Sequence, residues 1–184
     1  MPDHFAILAQ PRRPWLDEAL LKQAFHRATA QHHPDLSGGS GEVAAALNAA
    51  YAVLRDPAAR LKHLLELAAP EVLAARPAIA PELGGFFGKI AGLRQASAAF
   101  EKKQGLARAL AIGEGRALQA EIESTLVALR EMEAAVLVEL RSLDALWGTH
   151  DSSLPDKLSA LQQSLTFLGK WQGQLREDLF RLGA

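Results

Sequence analysis

Cysteine is absent from this 184-residue chain. Without a thiol, the chain can form no disulfide, no thiolate zinc site, no thiol-based catalytic site and no cysteine-held iron–sulfur cluster. This composition fits a protein of a reducing compartment.

The chain also lacks an excess of charge of one sign. Lysine and arginine number 20 and aspartate and glutamate number 21, for a net charge of −1. Because phosphate binding needs a clustered basic surface, we expect no nucleic acid partner.

Long apolar runs are missing as well. No stretch approaches the roughly 18 apolar residues that a membrane-crossing helix needs, so we expect no membrane partner. The segment around Asp3 and His4 has no apolar stretch of signal-peptide length. We therefore expect a cytoplasmic protein.

Leucine and alanine recur at three- and four-residue spacing, and the alternation typical of strands is not visible. This pattern predicts an all-α fold. In the second helix, we expect Leu16, Leu20, Ala24 and Ala28 to form the packing face, which Leu21 and Phe25 extend. The predicted helices cover residues 5–8, 16–32, 42–54, 57–67, 86–100, 118–147 and 154–179.

Helix-breaking residues between the fourth and fifth predicted helices mark a boundary. Pro70, Pro77 and Pro81 are followed by the pair Gly84-Gly85. We predict a first domain over residues 1–70, a linker over residues 71–85 and a three-helix bundle over residues 86–184.

His33-Pro34-Asp35 falls between the second and third predicted helices. Proline disfavours the α conformation of the residue before it, so the helix should end at His32 or His33. A glycine-rich run then follows over residues 36–41. The pattern predicts an exposed imidazole and carboxylate at the tip of a helical hairpin.

The segments around this tripeptide resemble a J domain in order and spacing. A helix, His33-Pro34-Asp35, a glycine-rich loop and the pattern Asn48-x-Ala50-Tyr51-x-x-Leu54-x-Asp56-x-x-x-Arg60 follow one another. The resemblance implies a co-chaperone that binds a DnaK-class (Hsp70-type) chaperone and stimulates its ATPase. Since that active site belongs to the partner, we predict no enzyme and no catalytic residue in this chain.

The resemblance also implies a chaperone-binding surface. It comprises the tripeptide, His33, Pro34 and Asp35, and the helix positions Lys22, His26 and Arg27. Asp35 would pair with an arginine of the chaperone; the alternative is a carboxylate that caps a loop amide. Lys22, His26 and Arg27 share one helix face, which would meet an acidic chaperone surface; the alternative is an ordinary solvated face.

The whole chain, with its linker and helical bundle, resembles the HscB-type co-chaperones of iron–sulfur cluster assembly. Phe167-Leu168-Gly169-Lys170 is similar to a Phe-Leu-Asp-Lys stretch of that family. The resemblance implies a DnaK- or HscA-class partner and a client such as an iron–sulfur scaffold protein. The predicted client-binding residues are Phe87, Ala91 and Phe167. The alternative is that Phe87 and Phe167 pack against the first domain.

One difference from the family concerns the client. Where HscB-type proteins carry an acidic surface rich in leucine and methionine, residues 86–94 here are basic and contain glycine. Two alternatives therefore stay open: a specialised J-protein with a different client, and a structural helical adaptor whose J-like domain recruits no chaperone.

The sequence contains no complete pattern for a metal or cofactor site. His26, His32, His33 and Asp35 lie near one another in sequence, but no Glu-x-x-His pattern completes a site. No nucleophile motif or phosphate-binding glycine loop follows a strand. We expect no metal and no cofactor.

Overall fold

A computed structural model describes residues 2–32, 41–75, 80–149 and 151–183. The described residues form α-helices and contain no strand, which confirms the predicted all-α fold. The helices are α1 His4–Ile7, α2 Glu18–Gln31, α3 Gly41–Arg55, α4 Pro57–Ala68, α5 Pro70–Ala74, α6 Pro81–Glu101, α7 Gly105–Leu110, α8 Ile112–Asp144 and α9 Leu154–Gly183.

Aspartate side chains begin several of these helices. Asp17 Oδ1 accepts a hydrogen bond from the Leu20 amide at 3.0 Å, and Asp56 Oδ1 accepts one from the Ala59 amide at 2.8 Å. Each bond satisfies an amide that the first helical turn leaves without a partner. Pro57 follows Asp56 at a position that needs no amide donor. The predicted start of α4 is therefore confirmed.

The chain forms two compact units. The N-terminal unit contains Met1–Pro77 and Glu139–Gln162, and the bundle unit contains Ala78–Val138 and Gln163–Ala184. Both α8 and α9 thus contribute residues to each unit. The functional division into residues 1–70, 71–85 and 86–184 stays a prediction.

The core of the N-terminal unit forms where α1, α2, α3 and α4 bury their apolar faces. Leu20, predicted to face this core, is 60% exposed, whereas Leu21 is 1% exposed. The prediction was wrong because α2 begins only at Glu18, so spacing counted from Leu16 does not define its buried face. The buried residues of this core are Phe5, Leu8, Leu16, Leu21, Leu47, Ala50, Leu54 and Leu64.

The core of the bundle unit lies between α6, α8 and α9. The three- and four-residue spacing of the sequence predicts one stripe on α6, comprising Phe86, Ile90, Leu93, Ser97 and Phe100. Phe86 is half-buried and the other four residues are buried. This helix begins at Pro81 rather than at Phe86, so Gly84 and Gly85 are helical. The buried apolar residues are Leu83, Ile90, Leu93, Phe100, Leu118, Ile122, Leu126, Leu129, Leu168, Trp171, Leu175 and Leu182.

The connection between α1 and α2 is held from two sides. Arg60, on α4, donates a hydrogen bond to the Pro14 carbonyl oxygen at 2.9 Å. Asp144, at the end of α8, accepts hydrogen bonds from the Trp15 amide at 3.0 Å and from Arg13 Nη2 at 2.7 Å. Backbone and side chains of this connection are therefore fixed before α2 begins.

None of the described helices combines the length and the apolar character that a bilayer span requires.

Candidate functional sites

The polar face of α2 is set by the residues on its opposite side. Leu21 and Ala24 are buried, and the Phe25 ring stacks on Tyr51 with 4.3 Å between ring centroids. These contacts fix the rotation of α2 about its axis, since one face of an amphipathic helix must meet the core. The other face is left to solvent.

The structure places Lys22, His26 and Arg27 on that outer face, and all three are exposed. Within the described parts of the chain, none of the three forms an ion pair. These three side chains are therefore accessible to a partner, and their role in chaperone binding stays a prediction. The acidic residues nearest in sequence, Asp17 and Glu18, lie at the beginning of the helix.

His33, Pro34 and Asp35 lie outside the described residues. In sequence they follow the end of α2 at Gln31 and precede the start of α3 at Gly41. Their exposure and their roles stay predictions.

A second surface is built around aromatic rings of α6 and α9 in the bundle unit. Phe87 meets Phe167 edge-on, with ring centroids 5.2 Å apart, and meets Trp171 in the same manner at 4.8 Å. Such edge-to-face contacts are the arrangement that aromatic quadrupoles favour. The structure therefore brings together two of the three predicted client-binding residues.

Exposure differs within this aromatic cluster of Phe87, Phe167 and Trp171. Phe87 is 38% exposed and Phe167 is half-buried, whereas Trp171 is 5% exposed. Trp171 follows Phe167 by one turn on α9, and its large indole ring turns into the core of the bundle unit.

Ala91, the third predicted client-binding residue, is exposed one turn after Phe87. Nearby, Gly84, Gly88 and Gly92 have no heavy atom within 4 Å of the position that a Cβ atom would take. This part of α6 presents a surface with few side chains next to the exposed Phe87 ring.

Charge near the aromatic cluster is basic on α6. Lys89 is exposed, and Arg94 is half-buried with its Nε atom 3.3 Å from Asp178 Oδ2. Asp178 is itself 4% exposed, so this carboxylate lies inside the bundle rather than at its surface. The basic character predicted for residues 86–94 thus persists in the folded unit.

The described ranges contain no group of three histidine, cysteine, aspartate or glutamate residues that could hold a metal ion. The predicted absence of a metal also concerns His33 and Asp35, which these ranges do not include.

The comparisons with known proteins come from sequence and from structure. No family model matches the chain. The chain is 43% identical over 66 residues to the chaperone protein DnaJ of Caulobacter vibrioides, a match that covers 34% of this chain and 17% of that protein. It is 35% identical over 74 residues to a co-chaperone protein HscB homolog of Azoarcus sp., covering 36% of this chain and 42% of the relative.

These matched stretches span less than half the length of either curated relative. They are about as long as the first predicted domain, and both relatives are chaperones or co-chaperones by name rather than enzymes. The predicted resemblance to J-domain co-chaperones is confirmed.

The whole chain is also similar in fold to a solved structure. The structure of the chaperone HscB from Vibrio cholerae matches with a TM-score of 0.55 and 19% sequence identity, and the match covers 96% of each chain. This likeness concerns the fold, and the sequence match to the HscB homolog confirms the predicted resemblance to HscB-type proteins.

Sequence reasoning missed one group of residues in the N-terminal unit. Arg141 and Asp144 were assigned to the bundle, yet they lie against Trp15. Their separation of more than a hundred residues from Trp15 left no local pattern that could have revealed the contact.

Proposed function

We propose that the chain is a co-chaperone that binds a DnaK-class chaperone through its N-terminal unit and stimulates that partner's ATP hydrolysis. The observation that carries this proposal is the exposed basic face of α2, which forms no ion pair with the residues that the structure describes, in a chain similar to DnaJ and to an HscB homolog. ATP hydrolysis takes place in the partner, so the chain needs neither a catalytic residue nor a cofactor.

Two kinds of contact would act one after the other during chaperone binding. Lys22, His26 and Arg27 would attract an acidic surface and raise the rate of encounter. Asp35 would then form charge-assisted hydrogen bonds with an arginine of the chaperone, and His33 would act beside it. Pro34 would contribute through the backbone geometry that it imposes.

Client binding is the proposed task of the bundle unit. Phe87 and Phe167 offer aromatic surface that is only partly covered, together with the exposed Ala91. Buried aromatic anchors commonly dominate protein interfaces. The client would be an iron–sulfur cluster scaffold protein.

A different client is the second candidate. The observation that favours it is the exposed Lys89 among the glycines of α6, where the resemblance implies an acidic surface. Such a client would present acidic rather than basic side chains to α6, because complementary charges select the partner. The cytoplasmic location and the absence of nucleic acid and membrane partners stay predictions.

The chaperone contact is tested by substituting the tripeptide in the full chain. His33→Gln and Asp35→Asn should each abolish ATPase stimulation of the DnaK-class partner in single-turnover assays. The conservative Gln31→Asn, at the end of α2, is the matched control and should retain stimulation. Full stimulation by both tripeptide variants would overturn the proposal.

A further inference from the structure

We propose that Arg141, on α8, forms part of the chaperone-binding surface together with Lys22. This inference rests on the proposed function and extends the surface beyond the first predicted domain. It assigns a partner contact to a segment that the sequence placed in the client-binding bundle.

The position of Arg141 is fixed by its neighbour Asp144, one turn later on α8. Asp144 holds the Trp15 amide at 3.0 Å and Arg13 Nη2 at 2.7 Å. Arg13 Nη2 also donates to the Asp144 carbonyl oxygen at 3.2 Å. The end of α8 is therefore attached to the connection that leads into α2, and all of these residues belong to the N-terminal unit.

This attachment brings two cations to one cleft. The Arg141 guanidinium lies over the Trp15 ring, 5.6 Å from its centroid. Arg141 and Lys22 line the same shallow cleft of about 510 Å³, together with Trp15 and the first turn of α2. Both side chains are exposed, and neither forms an ion pair in the described part of the chain.

Two carboxylates also line this cleft, and their surroundings limit their effect. Asp17 caps α2 through the Leu20 amide, and Glu18 lies in the first turn. Negative charge at a helix start is partly balanced by the positive end of the helix dipole. Arg141, in the last turn of α8, is partly balanced in the same way by the negative end of that helix dipole, whereas Lys22 lies beyond the first turn of α2. Because Lys22 also belongs to the exposed basic face with His26 and Arg27, an acidic surface fits the cleft better than a basic one.

The occupant is thus an acidic surface of the same DnaK-class chaperone that meets Lys22, His26 and Arg27. Charges at the edge of an interface mainly change the association rate and its dependence on salt. Arg141 should therefore act on the rate of encounter rather than on the ATPase step that follows.

The experiment measures association of the full chain with the chaperone by stopped-flow fluorescence at several salt concentrations. Arg141→Glu should slow association by about three- to tenfold at low salt, and the effect should fade as salt is added. Arg141→Gln should give a smaller slowing. Arg130→Glu, an equal charge change on the exposed surface of α8 in the bundle unit, should leave the rate near that of the wild type.

Lys22→Glu separates failure of this inference from failure of the proposed function. If Lys22→Glu slows association while both Arg141 variants associate like the wild type, the inference is overturned and the proposed function stands. If Arg130→Glu slows association as much as Arg141→Glu, net charge explains the result and the inference is again overturned. A chain that neither binds the chaperone nor stimulates its ATPase would instead overturn the proposed function.

Discussion

The Arg60 Nε atom donates a hydrogen bond to the carbonyl oxygen of Pro14 at 2.9 Å. Its Nη1 atom donates to the Leu54 carbonyl oxygen at 2.7 Å, so one guanidinium joins α4 to the end of α3 and to the connection before α2. The side chain is 4% exposed, and burial lowers the pKa of Arg60 to about 10. Arg60 therefore stays charged at neutral pH and serves the fold of the N-terminal unit.

Replacing Arg60 by alanine should destabilise this unit strongly. The change leaves two buried carbonyl oxygens without their donor and opens a cavity, and together these effects should cost about 3 kcal/mol. Urea denaturation followed by circular dichroism measures the loss. Arg55→Ala is the matched control, because Arg55 is exposed and its guanidinium carbon lies 5.9 Å from the centroid of the Tyr51 ring. An equal loss in both variants would contradict the structural role of Arg60.

His63 should make the stability of the N-terminal unit depend on pH. Its Nε2 atom accepts a hydrogen bond from the His4 amide at 3.1 Å, and the side chain is 3% exposed. Burial lowers the pKa of His63 below 6.5. As the pH falls below 6.5, the unfolded chain binds a proton before the folded chain does, so the free energy of unfolding decreases.

This contribution is fully present above pH 6.5 and is lost as the pH falls toward the pKa of folded His63. The slope cannot exceed about 1.4 kcal/mol per pH unit for one proton. Denaturation curves between pH 7.5 and 5 measure it, and His63→Gln should flatten the dependence. An unchanged slope in that variant would contradict the assignment of the pH dependence to His63.

Replacement by alanine at two glycine positions should change the free energy of unfolding in opposite directions. A Cβ atom at Gly88 would meet no heavy atom within 4 Å, whereas one at Gly115 would lie 2.6 Å from Phe100 Cζ. Gly88→Ala should raise the free energy of unfolding by about 0.5 to 1 kcal/mol, because alanine favours the helix. Gly115→Ala should lower it by about 1 to 2 kcal/mol, because the ring of Phe100 is buried and has to move. Thermal denaturation compares them, and stabilisation by both would mean that Phe100 relaxes freely.

Local signals of the sequence predicted much of this fold. Asp56 before Pro57 marked the start of α4, and the three- and four-residue spacing of Ile90, Leu93 and Phe100 marked the buried face of α6. Both of these signals depend on residues that are close to one another in the sequence. The start of α6 was placed too late because Gly84 and Gly85 have low helix propensity, which the burial of Leu83 outweighs.

Such local signals could not predict contacts between residues that are far apart in the sequence. Asp144 and Trp15 are joined by a hydrogen bond across 129 positions, and nothing in either segment indicates the other. The same holds for Phe87 and Trp171, whose edge-to-face contact depends on how α6 and α9 pack. The exposed face of α2 could be predicted, because its charged residues and its buried residues recur at helical spacing on different faces of one helix.

The client-binding surface gives the last prediction. Phe87→Ala combined with Phe167→Ala should weaken capture of an iron–sulfur cluster scaffold protein by about 2 kcal/mol or more, because both rings are partly exposed and able to act as anchors. Calorimetric titration measures this loss, and ATPase stimulation should persist. Phe180→Ala, which removes a ring that is 79% exposed elsewhere on α9, is the control and should bind normally.

Stability distinguishes an anchor from a core residue in that experiment. The double variant keeps Trp171 in the core, so its melting temperature should fall by only a few degrees, whereas Trp171→Ala should unfold the bundle unit far more easily. If the double variant instead melts as low as Trp171→Ala and its folded fraction still binds the scaffold protein, then Phe87 and Phe167 are core residues. The basic surface around Lys89 would then be the next place to look for the client.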